Sequence, residues 1–167
     1  MSTQSTQTDE KKFSEAKFVF KTLCATLDNR KWNYNKDEEK LIVRTSAVGD
    51  DLTIKLYIKV DADRSVMFLK SPMPFDITPQ NYNDLVLAVT YANWAMLNGM
   101  FEIDTDQGYV GFKAVVPFMD SILSESLCKY LIDMSCRMVD MFNDKLLAVA
   151  EKKMTVAEFK SFAKTAL

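Results

Sequence analysis

The feature that most constrains the fold is an alternation over residues 52–60, where Leu52, Ile54, Leu56, Ile58 and Val60 take turns with Thr53, Lys55, Tyr57 and Lys59. A period of two places one set of side chains in a core and the other against water, as in a half-buried strand. Residues 41–48 form a second apolar run, and Gly49-Asp50-Asp51 between the two supplies turn chemistry. A hairpin is therefore predicted. Asp61 to Arg64 turns the chain again into a strand over residues 65–70, and Trp32 and Tyr34 ahead of the turn-like Asn35-Lys36-Asp37 suggest a short strand before the hairpin.

Helical periodicity brackets these strands. Phe13, Ala16, Phe20, Leu23 and Leu27 recur in threes and fours and predict a first helix ending near Asp28-Asn29. Residues 1–9 hold almost nothing apolar, and composition of that kind does not offset the entropy of ordering, so a disordered tail is expected there and a single domain over 10–167. Thr78-Pro79 reads as the cap and first turn of a second helix reaching about Asn98, with Gly99 just past its end. Its apolar window LVLAVTYANWAML is too short to span a bilayer and is expected to be a buried helix. Asn93 inside it would need a hydrogen-bond partner if enclosed.

In EIDTDQGY the acids and the glycine raise the question of chemistry. Counted from Asp104, glycine falls at the fifth position and the twelfth residue is Val115, so the spacing of a calcium loop is not met. A hairpin that sets Asp104 opposite Tyr109, Ile103 opposite Val110 and Phe101 opposite Phe112 gives one apolar face and puts Glu102 diagonal to Lys113. Asp104 and Asp106 are read as turn residues.

Pro117 closes that hairpin, and Ser124 can cap a long helix over about residues 125–152. Two apolar stripes run along it: Leu127, Leu131, Met134, Met138 and Met141, and beside them Cys128, Ile132, Val139, Phe142, Leu146 and Val149. One stripe covers a sheet. The second needs more core or a partner, which makes Leu127, Leu131, Met134, Met138 and Met141 the candidate dimer or partner surface. Lys129, Asp133 and Arg137 fit a solvated face with opposite charges at i,i+4. Thr155-Val-Ala-Glu158 is a capping box for a last helix bearing Phe159, Phe162 and Ala163. The order α-β-β-β-β-α-β-β-α-α, with strands in hairpins, predicts an α+β fold with helices packed on an antiparallel sheet.

Composition narrows function mainly by exclusion. The chain has no histidine, which removes Ser-His-Asp and Cys-His catalysis and the commonest metal ligand together. Its glycines begin no phosphate-binding loop, and Cys24, Cys128 and Cys136 have neither CxxC spacing nor flanking ligands. The net charge of −2, without a long Lys/Arg run, disfavours nucleic acid as a partner. No signal peptide pattern opens the chain, so a cytoplasmic location is expected, and neither catalytic residues nor a cofactor or metal is predicted.

The segment NWAMLNGMFEIDTDQGYVGFKAVVPFMDSILSESLCKYLIDMSCRMVDMF, residues 93–142, sets an Asn in a helix before NG-x-FEID, a turn with Gly, an apolar strand and a long helix introduced by Ser-Glu. That pattern resembles the bacterial YbjN family. The resemblance implies a fold similar to class I type III secretion chaperones, which are α+β homodimers. It also implies a regulatory or binding role without a defined reaction, and it brings no catalytic residue with it. The expected function is a non-enzymatic, dimeric, chaperone-like module engaging a protein or peptide partner. The alternative is a small-molecule sensor with a pocket between the second helix and the sheet.

Overall fold

The computed structural model describes residues 2–119 and 121–166, with side-chain surroundings from Glu10 onward. The elements follow the expected order: α1 (Ser2–Asn29), β1 (Tyr34–Asp37), β2 (Ile42–Val48), β3 (Thr53–Asp61), β4 (Val66–Pro72), α2 (Tyr82–Ala95), β5 (Met100–Asp104), β6 (Tyr109–Pro117), α3 (Glu125–Ala150) and α4 (Val156–Thr165). The strands form one antiparallel sheet in the order β1-β2-β3-β4-β6-β5. The tail expected over residues 1–9 falls on side chains outside the described ones; the backbone of residues 2–9 continues α1.

All four helices lie on one side of the sheet. The inward residues of β3, namely Ile54, Leu56, Ile58 and Val60, are buried with Val43, Met67, Leu69, Ala114 and Phe112 from neighbouring strands. α1 lays Ala16, Val19, Phe20, Leu23 and Leu27 on this layer, and α3 adds Cys128, Ile132, Val139, Phe142, Leu146 and Val149. The last six are the stripe expected to cover a sheet, and each is buried. Phe142 then holds the C-terminal helix: its ring meets Phe101 at 5.7 Å and Phe162 at 5.4 Å between centroids, both edge-on, the geometry favoured by ring quadrupoles. Ser124 caps α3 by accepting from the Leu127 N–H at 3.2 Å, and Thr155 with Glu158 forms the capping box of α4.

Several boundaries differ from expectation for local reasons. Asn35, Lys36 and Asp37 are strand, pairing with Arg44, Val43 and Ile42, and the turn falls after them, where Leu41 adopts a left-handed φ of 53°. Helix α2 begins at Tyr82, not at Thr78-Pro79. The Asn81 side chain turns back to accept from the Thr78 N–H at 2.7 Å, so residues 78–81 form a separate turn ahead of the helix. α2 ends at Ala95, and Gly99, at φ +79°, belongs to the bend into β5, where a Cβ would run into the Phe112 ring. Asp133 pairs with Arg30 at 2.6 Å across to the end of α1, and not with its i,i+4 neighbours Lys129 and Arg137.

Candidate partner-binding surface

The EIDTDQGY turn is structural. Its register is Phe101 with Phe112, Ile103 with Val110 and Asp104 with Tyr109. The Asp104 carboxylate accepts from the N–H groups of Asp106 and Gln107, each at 3.1 Å, so its charge is spent on the turn that needs it. Glu102 meets Lys113 at 3.3 Å as expected and also Lys70 at 2.5 Å, a bridge across three strands that the sequence reading did not include. Asn93 donates to the Phe101 carbonyl at 3.0 Å and accepts from the Phe101 N–H at 2.7 Å. β5 is the last strand of the sheet, and these two bonds satisfy outward-facing backbone groups near its start. The remaining α2 residues against the core, Leu85, Ala88, Val89 and Ala92, are buried and apolar. The contact between α2 and the sheet is therefore packed with hydrocarbon, and its polar member is already paired.

What can bind is on the outside. Helix α2 was expected to be a buried helix; one face of it is buried and the other is not. Leu87 is half exposed, Trp94 is 73% exposed, and Leu97 just beyond the helix is 99% exposed. The helix carries no charged residue after Asp84, and past that point Thr90 is the one polar side chain among its exposed residues. The candidate stripe on α3 lies beside it. Leu131 and Met138 are buried, at 8% and 6% exposure, whereas Leu127, Met134 and Met141 are half-buried against the core. Tyr130 joins the two helices, its hydroxyl accepting from the Asn98 amide at 2.8 Å. The candidate surface thus has two parts, the exposed apolar residues of α2 and the half-buried ones of α3.

A second surface is the sheet face opposite the helices. Its outward positions are in register: Ile42, Lys59, Phe68 and Val115 form one row, and Arg44, Tyr57, Lys70 and Lys113 the next. Val115 is 48% exposed, and Tyr57 and Phe68 are half-buried with ring centroids 6.2 Å apart. The Arg44 guanidinium lies 5.4 Å from the Tyr57 ring centre, within cation–π range. Toward β5 the face hollows into an open cleft of about 620 Å³ bordered by Tyr57, Lys70, Glu102 and Tyr109. In the sequence Lys55, Tyr57 and Lys59 read only as the wet side of an alternation, and Trp94 and Leu97 only as part of the apolar window of a buried helix. The alternation did signal an outer face, but which charges gather on it depends on strand order.

Among the described residues no group of three or more His, Cys, Asp or Glu side chains could hold a metal ion, and no helix is long and apolar enough to cross a membrane. Neither a scan of family models nor a sequence comparison with curated proteins yields a match. Solved structures do match. YbjN from E. coli superposes with a TM-score of 0.57 at 12% identity, over 80% of this chain and 92% of that one. The ExsC-ExsE complex gives 0.56 at 14% identity, over 77% and 92% of the two chains. The HopA1-SchA chaperone-effector complex gives 0.52 at 14% identity, over 81% and 95%. The chain has the α+β fold shared by YbjN and the type III secretion chaperones.

Proposed function

We propose that this protein is a cytoplasmic, dimeric binding or regulatory module, chaperone-like and without a reaction of its own, that holds a segment of a protein partner. The observation that carries this reading is the uncharged outer face of α2, with Leu87, Trp94 and Leu97 left in water. An apolar face of this kind on a helix marks an association surface. Two copies related by a two-fold axis would present it to each other, and Leu127, Met134 and Met141 would extend the contact along α3 with Leu131 and Met138 packed beneath them. Support for a protein partner comes from the fold itself, since two of the similar structures are complexes, ExsC with ExsE and HopA1 with SchA. The open sheet face leaves room for such a partner in addition to a second copy.

Light scattering after gel filtration tests the dimer. The expected mass is twice the 19.1 kDa of the chain. Trp94→Glu and Leu97→Glu should each shift the protein to monomer without loss of helicity, because a carboxylate enclosed in such an interface costs several kcal/mol while on a monomer it sits in water. A wild-type monomer at micromolar concentration would overturn the dimer.

A further inference from the structure

The chemistry of the partner can be read from the open sheet face; this inference rests on the protein-binding reading above and sharpens it. The outward positions of β2, β3, β4 and β6 carry Arg44, Lys55, Lys59, Lys70 and Lys113 against a single acid, Asp61 at the end of β3. That concentration of positive charge stands in a chain whose formal charge is −2. Such a segregation is not required by the fold, since any polar residue serves on the wet face of a strand.

The face also shows what an anion does there. Glu102, reaching in from β5, bridges Lys70 and Lys113, and Asp61 at the rim lies 3.8 Å from Lys59. Arg44 and Lys55 are exposed and have no carboxylate in salt-bridge range among the described residues. Tyr57, Phe68 and Val115 lie between these cations and offer apolar area to a ligand's side chains.

We infer that the uncovered sheet face receives a segment of a partner protein in which Asp or Glu residues are interspersed with large hydrophobic ones. Its carboxylates meet Arg44, Lys55 and Lys59, and its apolar side chains rest on Tyr57, Phe68 and Val115. A nucleic acid fits less well. Its continuous phosphate backbone would run past Asp61, Glu102 and Asp104, whereas a peptide can place its carboxylates at Arg44, Lys55 and Lys59 alone.

The test uses the full-length protein and fluorescence anisotropy with three labelled probes: a synthetic peptide of Leu, Phe and Glu, the same peptide with every Glu replaced by Gln, and a single-stranded DNA oligonucleotide. The Glu peptide should bind, the Gln peptide should bind about tenfold more weakly, and added salt should close the gap. Lys55→Gln and Lys59→Gln should each weaken the Glu peptide roughly two- to five-fold, with the thermal unfolding midpoint unchanged. Equal binding of the two peptides, or no loss in either lysine variant, overturns the acidic partner and leaves the binding module standing. Preference for the oligonucleotide over both peptides overturns both. Failure of either peptide to bind a protein that is still dimeric by light scattering overturns this inference alone.

Discussion

Asn93 shows how much one side chain can decide. Its amide has a donor and an acceptor at the same end, and both are used on one residue, the N–H and C=O of Phe101. Phe101 is itself buried, so those backbone groups have little water to turn to. Asn93→Ala should therefore lower stability by about 1–3 kcal/mol, read as a shift in the urea midpoint. Asn93→Asp should do at least as much harm, because a carboxylate can still accept from the Phe101 N–H but faces the carbonyl without a proton to give. A midpoint unchanged in both variants would mean that the two bonds contribute nothing net.

Among the elements, helix ends were less legible than helix faces. The stripes on α1 and α3 are visible in the sequence because burial repeats every three or four residues. Their C-termini carry no glycine. Both helices instead close with a lysine in the left-handed region, Lys31 at φ 54° and Lys152 at φ 58°. Around each, two backbone bonds tie down the last carbonyls: Trp32 to Leu27 with Lys31 to Asp28, and Lys153 to Ala148 with Lys152 to Val149. A lysine there pays a steric penalty that glycine would not, so Lys152→Gly should raise stability by about 1 kcal/mol, measured by thermal or urea unfolding. No gain, or a loss, would point to a side-chain role for Lys152. The hairpin of β5 and β6 was legible to the residue, since Phe101, Ile103, Val110 and Phe112 admit a single register that keeps all four inside. The two exposed surfaces were not. Whether Trp94 is core or surface depends on which side of α2 meets the sheet, and Lys70 and Lys113 become cross-strand neighbours only because β4 joins β6 across the inserted helix.

For the whole molecule, alkaline pH is a global probe. Burial pushes the thiols of Cys128 and Cys136 up to about 11 from an ordinary 9.0, and it also raises Tyr109. The folded chain therefore holds these protons more tightly than the unfolded one. That contribution is complete below pH 9.0 and is lost as pH rises toward 11. The urea midpoint should fall over this window, and less steeply in a Cys128→Ala, Cys136→Ala variant; a midpoint flat across it would contradict the assignment. At neutral pH the same thiols should resist alkylation until the chain unfolds.

The Asn93 clasp also bears on how far this fold can assemble. Growth of a fibre by strand addition needs two adhesive borders on every unit, one to receive a strand and one to offer the next. Here the β5 border is occupied at Phe101 by the chain's own amide, and the β1 border at the other end is four residues long. A border blocked at one of its outward-facing residues pairs less readily with an added strand. The chain's own amide thus stands where an added strand would have to pair, a safeguard that suits a molecule that leaves large hydrophobic side chains in water.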